Sequence, residues 1–333
     1  MRIERNDLIF QPSEGVQCHA SHLTPLADGG VLAVWFQGSR EGADDVCIWG
    51  ARFSPDGKWS ETRRISPEDG LPHWNPVLFR RADGEILLFY KRGRTIAYWQ
   101  TMVMKSADEG KSWTEPRELV PGDEGGRGPV RNKILRLSDG SLLAPASIEQ
   151  GEWRCFMDRS EDEGETWTRT ADIRLPEPAG ERPNPYGAIQ PSLWEDEAGV
   201  HALLRTSQGY LYRTDSEDLG RSWSQPASSG IPNNNSGIDL AKAPDGTLYL
   251  ACNPVGENWG ARSPISLLIS KDGGAHWEHL THLVTMPGEY SYPAVLWQDG
   301  CLLITHTDCL SRISTAYHTY RLLRRFPTVC AAF

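Results

Sequence analysis

The chain has 333 residues, 34 Lys and Arg against 44 Asp and Glu, and a net charge of −10, which argues against nucleic acid as a partner. No apolar stretch is long enough to span a membrane. The opening Met1-Arg2-Ile3-Glu4-Arg5-Asn6-Asp7 lacks the apolar core of a leader, so a cytoplasmic location without membrane contact is expected. Seven cysteines without framework spacing are expected to be free thiols.

In chain order, residues 2–18 are expected to close a ring beside the last repeat. A first unit then follows, with apolar runs on either side of Asp28-Gly29 and a short turn motif Ser54-Pro55-Asp56-Gly57-Lys58-Trp59. Asp-Gly tolerates positive φ and suits the tight turn between antiparallel strands. The same signal returns at Asp83-Gly84, Asp139-Gly140, Asp245-Gly246 and Asp299-Gly300, with Glu197-Ala198-Gly199 in the corresponding slot. A fuller motif, Ser-x-Asp-x-Gly-x-x-Trp, starts at Ser106, Ser160, Ser216 and Ser270, at intervals of 54, 56 and 54 residues. In it the Asp caps a turn, the Gly takes positive φ and the Trp packs inward, so Asp108, Asp162, Asp218 and Asp272 are read as turn residues, not catalytic ones.

A β-rich period of about 50 residues indicates propeller blades. Six hairpins predict an all-β, six-bladed propeller of four-stranded antiparallel blades. Their centres fall near 19–70, 72–125, 128–178, 186–230, 234–284 and 288–325, forming one domain over 1–333 whose sixth blade has no Trp motif. Ring closure removes exposed sheet edges.

Innermost strands start near the axis of such a ring. The residues expected there are His19 to His22, Trp74-Asn75-Pro76, Arg131-Asn132-Lys133, Ile189-Gln190-Pro191, Ser236 to Asp239 and Tyr290-Ser291-Tyr292. The second strands end at the same rim with Arg40-Glu41, Lys91-Arg92, Glu149, Arg205, Asn253 and His306. This is a polar pocket in which the guanidiniums suit a carboxylate. Trp74 and Trp259 are candidates for stacking on a sugar ring. His19 and His22, three apart on a strand, point to opposite faces and do not share a metal. Nothing in the chain calls for a cofactor.

The spaced Ser-x-Asp-x-Gly-x-x-Trp motifs resemble the Asp-box repeats of bacterial neuraminidases, and the whole chain resembles the sialidase superfamily of six-bladed propellers. The resemblance implies a nucleophilic tyrosine in a Tyr-Ser segment, matched by Tyr290-Ser291, and an aspartate acid/base after the second strand, matched by Asp45 or else Asp44. It also implies a fourth-blade carboxylate and arginine 15 residues apart, where this chain has Gln190 and Arg205. A further arginine after Asn-Pro is matched by Arg262, and an arginine opening the first blade is replaced by His19. Arg40, Arg131, Lys133, Asn235, Asp239 and Tyr292 are expected around the substrate.

With Gln190 unable to take a proton, Glu41, Glu149 or Asp239 must assist the phenol. The resemblance implies an exo-acting glycosidase releasing sialic acid or a related acidic sugar from a short glycan. A lyase or hydrolase on uronate- or rhamnose-containing oligosaccharides, using His19 beside the tyrosine, is the competing reading. The third is a glycan-binding propeller without catalysis.

Overall fold

The computed structural model describes residues 2–9, 15–178 and 180–319. Among them lie six antiparallel sheets of four strands each, arranged as the blades of a propeller. The innermost strands are Gln17–Pro25, His73–Arg80, Leu135–Arg136, Ala188–Asp196, Asp239–Lys242 and Tyr290–Gln298. Each pairs with the strand after its Asp-Gly or Glu-Ala turn, as the hairpin signals require. In the sixth blade the outermost strand is Arg2–Leu8, which pairs antiparallel with Arg312–Thr319 and closes the ring. The expected extension of this blade to residue 325 falls outside the described residues.

That closure explains why the sixth blade has no box. Each box occupies the turn from the third strand to the fourth, as Ser106 to Trp113 does between Gln100–Ser106 and Arg117–Glu118. In blade six the fourth strand comes from the other end of the chain, so no such turn exists.

The boxes fold through their own polar atoms. Ser106 Oγ donates to Asp108 at 2.9 Å and accepts from Gly110 N at 2.9 Å, while Asp108 also takes the Ser112 N–H at 2.8 Å. The Ser112 hydroxyl and these N–H groups hold the Asp108 carboxyl down at about 2. Trp113 Nε1 donates to the Gly110 carbonyl at 3.1 Å. Blades three, four and five repeat the pattern. The boxes also couple blades. Gly110, at φ 77°, lies against Leu32 of blade one so closely that an added Cβ would come within 2.8 Å of it.

Six apolar clusters fill the structure, one at each interface between neighbouring blades. The cluster between blades one and two, for example, packs Val34 and Phe36 against Leu88 and Tyr90. The hydrophobic core is therefore a ring of wedges, and the axis is left to polar side chains.

Candidate active site

One feature of the backbone builds the hub. Near the start of each innermost strand a non-glycine residue takes a left-handed conformation: Ala20, Asn75, Arg131, Gln190, Asn235 and Tyr292, with φ between 45° and 68°. In blades one, two, four and six this coincides with a break in strand register. A bulge re-aims the side chain it carries, which is why such features gather beside functional sites.

The clearest consequence is at blade six. Strict alternation would put Tyr290 and Tyr292 on one face of the strand. The register slips between Ser291 and Ala294, with Tyr292 at φ 52°, and the two rings part. Tyr290 is buried in the apolar cluster between blades five and six, against Gly288, with its hydroxyl on the Cys309 thiol. Burial and that thiol push its pKa up. The expectation that Tyr290 is the axial tyrosine is thus corrected: Tyr292 holds that position.

Around Tyr292 three guanidinium groups converge. Arg131, Arg262 and Arg205 lie 5.4, 5.5 and 5.6 Å from its ring centroid. The Arg205 Nη1–H donates to the Tyr292 hydroxyl at 2.8 Å and to Gln190 Oε1 at 2.9 Å, and its Nε–H to Asn235 Oδ1 at 2.9 Å. Arg205 is 3 % exposed, and its bonding partners are all neutral. Arg131, 1 % exposed, donates only to the Ser21 and Pro293 carbonyls, and its Nε has no partner. Arg262 alone of the three has an ion pair, to Glu289 at 2.8 Å, and both groups bond the Ser291 hydroxyl. Buried charge without a counter-ion is costly, so the hub is set up to receive an anion.

His19 completes the centre. Its ring lies 4.0 Å from that of Tyr292, centroid to centroid, and its Nδ1 bonds the Thr307 hydroxyl at 2.7 Å. Burial, then Arg262, Arg131 and Arg205, hold its pKa well below 6.5, so the imidazole is neutral near pH 7. His22 turns away and accepts from the Leu78 N–H of blade two at 3.2 Å.

Several expected site residues do other work. Asp45 caps the loop by accepting from Ser39 N and Oγ, both at 2.9 Å, and Asp44 pairs with Arg94 at 2.8 and 2.9 Å. Both are exposed and their hydrogen bonds go to Ser39 and Arg94, not to Tyr292. Arg40 is also exposed on that loop. Lys133 and Asp239 pair with each other, and Asp239 also takes the Val295 N–H at 2.7 Å, which makes the pair a knot between blades and not a substrate contact. Trp74 is buried between Phe36 and Trp99 and donates to the Gly93 carbonyl at 2.9 Å, so its face is not open to a sugar. Gln190 positions Arg205 and does not act as a base.

Glu149 is half-buried, and neither of its oxygens bonds the tyrosine. Trp259 is 53 % exposed, with Arg205 6.0 Å from its ring. Glu41 is exposed, yet enough protein surrounds its carboxyl for desolvation to raise its pKa, with Arg262 opposing and Glu289 adding to the rise. Sequence reading missed Glu289 and Thr307. Glu289 was legible as the residue just before Tyr290, whereas Thr307 comes from a strand 288 positions away from His19.

Residues 29–304 match the family model of the BNR repeat-like domain. That span covers most of the chain, and the protein belongs to this family. No curated protein matches it by sequence. Among solved structures, it superposes on a protein of unknown function from Dyadobacter fermentans with a TM-score of 0.78 at 16 % identity, covering 96 % of this chain and 99 % of that one. The Hadza microbial sialidase Hz136 follows at 0.74 and 16 %, covering 91 % and 66 %. Trypanosoma rangeli sialidase in complex with the inhibitor DANA matches at 0.73 and 14 %, covering 94 % of this chain and 59 % of that one. This chain spans only about three fifths of the trypanosomal enzyme. At such identities the likeness is one of fold: a sialidase-like six-bladed propeller.

Proposed function

We propose that the hub binds the carboxylate of an acidic sugar in a short glycan and cleaves a glycosidic linkage that this sugar makes. The observation that carries this is Arg205, a buried guanidinium held by two amides and a phenol, with Arg131 and Arg262 behind it. A carboxylate arriving there supplies the missing counter-charge. Trp259 offers an exposed ring at the rim for the neighbouring sugar.

The arrangement favours elimination on a uronate over nucleophilic attack by the phenol. A tyrosine nucleophile needs a base within hydrogen-bond reach. The Tyr292 oxygen instead accepts from Arg205, which leaves its own proton free to give away. His19 is neutral and beside it. In the elimination, which needs a uronate whose O4 carries the next sugar, His19 removes the C5 proton beside the carboxylate and the C–H electrons form the C4–C5 double bond. The C–O bond to the leaving sugar breaks, and Tyr292 protonates the departing oxygen. The arginines hold the charge that develops on the carboxylate.

Sialidase-type hydrolysis is the second reading. Glu41 favours it, because this carboxyl of raised pKa is carried on the blade-one loop near Arg262. One experiment separates the two. The protein is given oligosaccharides with a uronate substituted at O4, and sialyllactose, and both ultraviolet absorbance of an unsaturated uronate and released free sugar acid are followed. Absorbance lost in His19→Ala and Tyr292→Phe supports elimination, and free sialic acid without unsaturation supports hydrolysis. Binding of an acidic sugar without either product overturns both routes and leaves a glycan-binding propeller.

A further inference from the structure

Interior carboxylates in this protein are well provided for, with one exception. Asp158 accepts from the Gly128 N–H at 2.6 Å and from Arg127 at 2.8 Å. Asp239 has Lys133 and two backbone N–H groups. Glu149 has none of these: its Oε1 is buried and unpartnered. It directly follows the second strand of blade three, Leu142–Ile148, at the hub end.

Alternation along that strand settles which way it looks. Leu143 packs with Ala188 and Leu204 of blade four, so Ser147 and Glu149, of the same parity, face blade four as well. There Arg205 lies one residue before the end of the corresponding strand, Gly199–Thr206, and Ser147 Oγ is likewise buried without a partner. The cations that reach Glu149 electrostatically are Arg205 and Lys91, and neither bonds it. Lys91 is committed to Thr101 Oγ1 at 2.6 Å and to the Arg127 carbonyl at 2.8 Å. Cys155, the strand neighbour of Ser147, supplies only a buried thiol.

We propose that Glu149, backed by Ser147, is a second polar subsite of the hub, which takes a hydrogen-bond donor of the bound acidic sugar, a hydroxyl or an N–H, while Arg205 takes its carboxylate. This rests on the reading of the hub as an acidic-sugar site and goes further by naming what else the sugar must carry. An acceptor without a protein donor is a cost in the empty protein, and a ligand that supplies the donor removes it. Burial also raises the Glu149 pKa, with Arg205 and Lys91 only partly opposing.

Two measurements on Glu149→Gln, Glu149→Leu and Arg205→Met test this. The first is calorimetric binding of glucuronate, of its deoxy analogues lacking one hydroxyl each, and of N-acetylneuraminate. Glu149→Leu should weaken the sugar that binds wild type best by about 10-fold or more, and one deoxy analogue should bind wild type and Glu149→Leu alike. The second is thermal unfolding without ligand. Because the carboxylate is unpartnered, Glu149→Gln should unfold at the same temperature or higher at pH 7. Its advantage should shrink as pH falls through the raised folded value of Glu149 and be gone below the ordinary glutamate value of 4.5, where both states are protonated.

Full binding by Glu149→Leu, with binding lost in Arg205→Met, overturns the subsite and leaves the carboxylate clamp standing. Binding indifferent to both changes, or no binding by wild type, overturns the two together. A lower unfolding temperature for Glu149→Gln at pH 7 would show that the carboxylate has a structural partner and also overturns the proposal.

Discussion

The two faces of the propeller are built by opposite rules. On one face lie the Asp-Gly turns and the boxes. The Ser, Asp, Gly and Trp bonds that shape each box join residues two to four apart, and its remaining groups then pair beyond it, as Glu109 does with Arg80 of its own blade and the Ala27 N–H of the neighbouring one. On the other face lies the hub, where Arg205 meets Tyr292 across 87 positions and His19 meets Thr307 across 288. Among the described residues the exposed large apolar side chains are Ile96 and Tyr98 in a short 3-10 helix, Tyr210 at the start of a strand, and Trp259 and Met286 in loops, all at this second face. One face is thus locally satisfied and structural, while the other holds unpaired cations and open rings. The contrast shows that polarity alone does not mark a site; what does is polar groups whose partners are missing.

Substitutions can break that contrast, and the largest effect is expected at Arg205. Arg205→Met should cost roughly 10²-fold or more in binding of an acidic sugar, read by calorimetry, because a buried charge-assisted contact is lost. Equal binding would mean that the anion sits elsewhere. Next comes the pair of tyrosines. Tyr292→Phe should lower turnover by about 10²–10⁴-fold, the usual worth of a positioned proton donor, while Tyr290→Phe should act on the melting temperature and leave the chemistry in place. The reverse result would return the role to Tyr290.

A smaller effect follows from pH. His19, His22 and His306 are held neutral by burial, so their folded pKa values lie below the 6.5 of the unfolded chain. The unfolded state therefore takes up protons first. Stability should be fully present above pH 6.5 and should decline as pH falls through the folded values, visible as a falling unfolding midpoint. A midpoint flat from pH 7 to 5 would contradict this. On the structural face, Ser216→Ala should cost about 1–3 kcal/mol in denaturant unfolding, since Ser216 Oγ serves both Asp218 and Gly220, with no change in sugar affinity. Least of all, Asp44→Asn and Asp45→Asn should leave turnover unchanged. A loss there would restore the loop aspartates as the acid.

The legibility of the chain follows the same division. The blade count, the hairpins, the closing N-terminal strand and the box turns could be read directly, because each depends on residues close together in sequence and on a repeated pattern. Gln190 and His19 could be placed at the hub because blade geometry sends every innermost strand there, Arg205 because the second strand ends at the same rim, and Arg262 through the family resemblance of the segment after Asn253-Pro254. The choice between Tyr290 and Tyr292 could not be read. Both lie on one apolar strand with the parity of a single face, and only the bulge at Tyr292 separates them. Nor could the chain reveal that Lys133 and Asp239 neutralise each other, or that Asp44 is spent on Arg94 while Arg205 has no counter-ion. Local pattern carries what short-range hydrogen bonds and strand alternation impose. Which charges are paired depends on distances between blades that come into being only when the ring closes.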